Sequence, residues 1–235
     1  MCQRRTAIGC SRRRTAKLAF GLGLLSALLV LMLCACAEGE NGSDARPLPE
    51  EEEALRPGEY RSEEFEPSLS FRVGKGWSST PLEASDILHI THGQEAGLGF
   101  TIIRRVYEPN ESGTPNVVEA PNDLVDWYRH HPYLRTTEPK SVTVGGFEGV
   151  RFDVTVVEDL PEGYGGVCGT ACVDTAKVAD GRVLWQPREE RTRLIVLKDV
   201  ESETVTVAIH GPSTKFDEFA PEAQKVIDSV KWTGS

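Results

Sequence analysis

Residues 141–156, SVTVGGFEGVRFDVTV, decide how this chain folds. From Val150 to Val156 every second residue is apolar, while Arg151, Asp153 and Thr155 point the other way. That is the period of a half-buried strand. Ser141–Val144 alternates in the same manner, and Gly145-Gly146 between the two runs supplies the residue types that a two-residue hairpin turn with positive φ demands. Working outward, Arg193–Leu197 and Thr204–Ile209 form a second hairpin, with Val205, Val207 and Ile209 inward. Leu69–Val73, Ile87–Thr91 and Leu98–Arg104 supply further strands. A chain of hairpins predicts an antiparallel sheet.

Two helices are readable beside these strands. The first runs from Asn122, a suitable N-cap, through Leu124, Trp127, Tyr128 and His131 at helical spacing, and stops at Pro132. The second carries Ala223, Val226, Ile227 and Val230 behind Pro221, which suits a first helical turn. Phe216 and Phe219 are expected to pack from a short turn just before it. Strands with one apolar face, covered by helices, predict an α+β domain over residues 59–235. The stretch at about 158–190 reads as an insertion into it.

Ahead of the domain lie two segments of different character. Residues 37–58 hold few large apolar side chains and the acidic block Glu50-Glu51-Glu52-Glu53, so they read as a disordered tether. Residues 1–36 join a basic start (Arg4, Arg5, Arg12, Arg13, Arg14, Lys17) to the apolar run Leu18–Ala35 and end in Leu33-Cys34-Ala35-Cys36. A positive n-region, an apolar stretch and a small residue before the cut are the parts of an export signal. The ending resembles a bacterial lipoprotein signal. That resemblance implies a signal peptide over 1–36 and a lipidated Cys36, with diacylglyceryl and palmitate chains on the outer face of the membrane. Modification at Cys34 would put Leu33 at the cut, where a small side chain is needed. The apolar run is also long enough to stay as an uncleaved membrane helix. Either way the cations keep the N-terminus inside and send residues 37–235 out.

Charge and cysteines narrow the partners. Removing six of the 26 Lys and Arg residues with the signal leaves 20 basic against 36 acidic side chains, a formal charge of −16. Phosphate backbones repel such a surface, so nucleic acid is not expected as a partner. Of six cysteines, Cys36, Cys168 and Cys172 remain after processing. Cys168 and Cys172 lie four apart among glycines, and in an oxidising compartment that spacing favours a small-loop disulfide. The competing reading is metal or redox handling through the same pair.

Further motifs resemble known proteins. Phe71-Arg72-Val73-Gly74-Lys75-Gly76-Trp77, His131-Pro132-Tyr133-Leu134, Val144-Gly145-Gly146-Phe147 and the closing Phe216–Phe219 and Ala223–Trp232 are similar to exported lipoproteins of actinobacterial type. More distantly, their order resembles the PsbP-like and Mog-like α/β/α sandwich, over about Tyr60 to Trp232. The resemblance implies that sandwich fold and an accessory role without catalysis.

The remaining candidates are weighed residue by residue. His89 and His92 are three apart on a strand and point to opposite faces, so no shared metal site is expected. His130-His131 closes a helix, where positive charge suits the dipole. His210-Gly211-Pro212 reads as a strand ending in a turn. No nucleophile elbow, zinc-protease helix or phosphate loop occurs, and no catalytic residue, metal or cofactor is assigned. Trp77 and Trp127 read as core anchors, and Trp185 as an exposed ligand contact. The sequence thus leads to a membrane-tethered binding or accessory module for an envelope protein or cell-wall ligand. An exported enzyme with an assembled polar site is the alternative from another class.

Overall fold

The elements run, in chain order, β1 (Arg46–Pro47), β2 (Gly58–Arg61), β3 (Leu69–Val73), β4 (Trp77–Ala84), β5 (Ile87–His92), β6 (Ala96–Ile102), β7 (Arg105–Tyr107), β8 (Val117–Glu119), α1 (Leu124–His130) and β9 (Leu134–Thr136). They continue with β10 (Lys140–Val144), β11 (Phe147–Val156), β12 (Cys172–Lys177), β13 (Val183–Pro187), β14 (Glu190–Val200), β15 (Glu203–Pro212), α2 (Phe216–Ile227) and β16 (Lys231–Trp232). These come from a computed structural model that describes residues 45–109, 116–161 and 164–233. The expected export signal and lipidation at Cys36 fall outside the described residues.

The hairpin read from residues 141–156 forms in the expected register. Val144 faces Phe147, and Gly145 and Gly146 hold φ of +56° and +92°. A Cβ on Gly145 would stand 2.6 Å from the Trp232 ring, whose Nε1 donates to the Val144 carbonyl at 3.3 Å. The turn is therefore pinned on the last strand. The central sheet runs β10-β11-β14-β15-β6-β5-β4, with β9 on β11. Two smaller sheets run β1-β2-β3-β16 and β13-β12-β7-β8.

Strand alternation divides the interior into two cores. One face of the central sheet presents Leu88, Ile90, Leu98, Phe100, Ile195, Leu197, Val205, Val207 and Ile209. They pack against Phe71 and Trp77 and against Phe216, Phe219, Ala223 and Val226 of α2. The other face presents Phe152, Val154, Leu194 and Val196 to Leu124 and Tyr128 of α1 and to Val173 and Ala176 of β12. Each fully buried aliphatic or aromatic side chain contributes roughly 1.5–3 kcal/mol.

This architecture corrects the expected α+β sandwich of a sheet covered by helices. Strands predominate and make several sheets, and two helices occur among the described residues. The physical reason is the length of α1: seven residues span too little of the sheet to cover it. The missing cover is supplied by strands. β12 and β13 close one face, and β2 and β3 share the other with α2.

Four local readings change with it. The expected tether at 37–58 is, from residue 45 onward, packed on the domain: Ala45, Leu48 and Leu55 are buried. Its backbone runs beside β4, with Leu55 N donating to Trp77 O at 2.8 Å and Ser79 N to Glu53 O at 2.9 Å. The glutamate side chains stay outside, so their charge does not oppose the packing. The insertion is part of a core, because Tyr164, Cys172, Val173, Ala176 and Val178 are buried. Asp123 rather than Asn122 caps α1, its carboxylate accepting from Asp126 N at 3.0 Å. Pro221 lies inside α2, not in its first turn, and leaves the Asp217 carbonyl without its i+4 donor.

Candidate functional site

The second face of the central sheet changes character along its width. Over β11 and β14 it carries large side chains that fill the space beneath β12. Over β15, β6 and β5 the residues on that face are Thr206, Ala208 and His210, then Gly97, Gly99 and Thr101, then Ile87 and His89. These are mostly small, so the sheet and its cover part there. The result is a cavity of about 480 Å³.

Its floor is this polar, small-residue patch. Its roof is Val183–Pro187 of β13 with Thr175 of β12, and Tyr128 of α1 closes one side. Leu82, Ile87, Ile103, Val183, Leu184 and Leu194 make the walls apolar. Trp185 stands on the rim, 52% exposed.

Two histidines meet on the floor from strands separated by β6. His89 Nε2 and His210 Nε2 are 2.8 Å apart with the ring planes 17° from parallel. Gly97 lies between them on β6, and a Cβ there would stand 2.6 Å from His210 Nε2 and 2.7 Å from His89 Nε2. Glycine is required for the rings to touch.

The charge state of His89 follows from its surroundings. Burial, with the neighbouring His210 second, pulls the His89 pKa down to about 3, so His89 is neutral. The Glu190 carboxylate lies 3.5 Å from His210 Nδ1 and favours a proton on that nitrogen. One Nε2 donates to the other across the short contact, and His89 Nδ1 takes no part in it. That atom is buried and has no partner, and the same holds for Thr206 Oγ1. Several other polar groups around the cavity are committed. Thr175 Oγ1 donates to Leu184 O at 3.0 Å, and Gln186 Nε2 donates to Glu190 O at 3.1 Å. The Tyr128 hydroxyl is hydrogen-bonded with Thr175, and burial pushes its pKa up to about 12. Arg182 is paired with Asp180.

The residues singled out from sequence fall in different places. Cys168 and Cys172 are joined as a disulfide with Cα atoms 5.7 Å apart, at the entry to β12, where Cys172 pairs with Pro187 of β13. His92 points to the opposite face from His89, against Trp77 and Phe219. His131 is buried beside Trp127 and Tyr133, and burial lowers its pKa to about 4. Trp77 is buried, and Trp127 packs on the second core. Among the described residues no group of three or more His, Cys, Asp or Glu is placed to hold a metal ion. None of the described cavity-lining side chains is a serine or cysteine. The reading from sequence did not find the His89–His210 pair or Thr206. The available signal was a strand with glycine at alternate positions, Gly97-Leu98-Gly99, beside strands with a histidine on the same face.

The chain matches no family model and none of the curated proteins. Among solved structures it is similar to the cyanobacterial PsbP (CyanoP) of Synechocystis sp. PCC 6803. The two share 9% identity with a TM-score of 0.40, over 76% of this chain and 95% of that one. It is also similar to the Ran-binding protein Mog1p of Saccharomyces cerevisiae, at 7% identity and a TM-score of 0.39, over 76% and 96%. Likeness at this distance carries no argument about function.

Proposed function

We propose that this chain is a non-enzymatic binding module, tethered to the outer face of the cell membrane by a lipid on Cys36. Its ligand enters the cavity beneath β13. The observation that carries the binding reading is the cavity itself, about 480 Å³ of space over a floor of small side chains. The apolar walls and few polar groups are the usual make-up of a small-molecule site. Trp185 on the rim is the contact we assign to an envelope protein or cell-wall component that presents the ligand. The tethered location rests on the signal at 1–36.

The test is Nile red binding by the full chain in lipid nanodiscs, corrected for empty discs. Wild type should bind the dye, and Ala208→Phe, which fills the cavity, should not; Ala208→Val should bind more weakly than wild type. Equal binding by all three refutes the site. For the anchor, mass spectrometry of the N-terminal peptide should find the lipid on Cys36. A lipidated Cys34, or an unmodified and uncleaved chain, refutes that assignment.

A further inference from the structure

We propose that the mouth of the cavity takes an extended peptide of a partner protein, added as a fifth strand beside β13, with apolar and acidic side chains alternating along it. The inference rests on the binding reading above and names the class of partner. Three features lead to it: the backbone of β13, the place where the cavity opens, and the charges on the outer face.

The backbone comes first. β13 ends its sheet, bonded to β12 on one side. Val178 N donates to the Arg182 carbonyl and Arg188 N to the Ala171 carbonyl, each at 3.0 Å, so both ends of the strand face β12. Antiparallel pairs alternate between bonded and unbonded. Leu184 and Gln186 therefore face β12 as well, while Val183 and Trp185 turn their N–H and C=O groups away from it. Asp174, opposite Trp185, agrees: its N–H goes to the Tyr164 hydroxyl at 3.1 Å and not to β13. Such a row of edge donors and acceptors is matched by another extended backbone.

The cavity opens along this same edge. Successive side chains of a strand leave on opposite faces, yet Val183, Leu184, Trp185 and Gln186 all border the space. A space touched from both faces of β13 reaches around one of its edges, and β12 occupies the other. A strand added here lies across the mouth, and every second side chain enters between the apolar walls.

The other side chains share the outer face with Val183, Lys177 and Arg105, which are successive cross-strand neighbours. Like charges side by side are unfavourable, and neither cation forms an ion pair among the described residues. A residue opposite Val183 on the added strand is two strand spacings, roughly 10 Å, from the Lys177 backbone. A glutamate there meets the lysine within the combined reach of the two side chains. A second copy fits this edge poorly. Two β13 strands centred antiparallel on Trp185 would set Val183 against Pro187 twice, and proline has no N–H to give.

The experiment follows the fluorescence anisotropy of a fluorescein-labelled seven-residue peptide of alternating leucine and glutamate, with the full chain in nanodiscs at pH 7.5 and empty discs as the control. The peptide should displace Nile red and bind at least ten-fold more tightly than a leucine–lysine peptide or than its own analogue N-methylated at the glutamates. Val183→Pro removes an outward N–H and keeps every bond to β12. It should weaken the peptide at least ten-fold and retain Nile red, and Lys177→Glu should erase the preference for the acidic peptide. Equal binding of the N-methylated analogue overturns strand addition, and equal binding of the leucine–lysine peptide overturns the acidic class. A disulfide-linked dimer formed by Val183→Cys on the discs assigns the edge to a second copy and overturns the peptide. If Nile red binds and the leucine–glutamate peptide does not, this inference fails and the binding module stands. If neither binds, the binding reading itself fails.

Discussion

Replacing Gly97 by alanine tests the close contact between His89 and His210 on the cavity floor. The added methyl would lie 2.6 Å from His210 Nε2, 2.7 Å from His89 Nε2 and 3.0 Å from the Ile90 carbonyl. Both rings must therefore move, and each is held: His89 by burial, His210 by Glu190. Overpacking of a filled interior costs roughly 1–3 kcal/mol. Losing the buried imidazole–imidazole hydrogen bond adds about 1 kcal/mol. Gly97→Ala should thus destabilise the fold by about 2–4 kcal/mol on these two figures. The assay is urea unfolding followed by tryptophan fluorescence, with an unchanged m-value showing that the same surface is exposed. A double-mutant cycle isolates the cause. In a His89→Ala background the methyl has room on one side, so the second substitution should cost at most about half as much. An equal cost in both backgrounds would sink the reasoning, because the clash would then be with the Ile90 backbone and not with the histidines.

Three further outcomes are expected. Lowering the pH from 7.5 to 5 should destabilise the protein, because the unfolded chain protonates His89 and His131 at the ordinary 6.5 while the folded chain holds them neutral down to about 3 and 4. Each contributes a loss of about 2 kcal/mol at pH 5 by linkage. Asp174, whose pKa burial raises, acts in the opposite sense, so the check is the smaller pH slope of His89→Leu relative to wild type. Replacing Cys168 and Cys172 together by serine should cost about 2 kcal/mol or less, as expected of so short a closed loop, and should leave a cooperative unfolding transition. Leu48→Ala and Leu55→Ala should each cost about 2–5 kcal/mol, whereas Glu50→Gln and Glu52→Gln should leave the urea midpoint unchanged. A free tether would give no effect in either set.

The central sheet was legible where a strand keeps one apolar face. Val205, Val207 and Ile209 alternate with Thr206, Ala208 and His210, and that alternation survives intact in the structure. The cover was not legible. Cys172–Ala176 of β12 is buried at every position and bulges between Asp174 and Ala176, so it shows no period to read. The segment at 45–58 escaped for a different reason. Its composition suggests solvation, yet three apolar side chains and a run of backbone hydrogen bonds to Trp77 and Ser79 suffice to dock it. The cavity needed distance information above all. His89 and His210 are 121 residues apart, and nothing local to either says that a glycine stands between them.

The alternation of β6 also separates two properties that proteins usually keep entangled. Leu98 and Phe100 serve one core, while on the other face Gly97 lies under the two imidazoles and Gly99 lines the cavity. Gly97 is fixed by the imidazoles, but a Cβ at Gly99 would meet His89 Cδ2 at 3.5 Å and the Leu88 carbonyl at 3.6 Å, which is ordinary contact. A methyl there would shrink the chamber without touching the hydrophobic packing on the far side, and alanine is better suited than glycine to a regular strand by roughly 0.5–1 kcal/mol. Ligand size can therefore drift one carbon at a time through Gly99 and Ala208 while the scaffold stays constant, which makes this face of the sheet a natural place to retune selectivity by design.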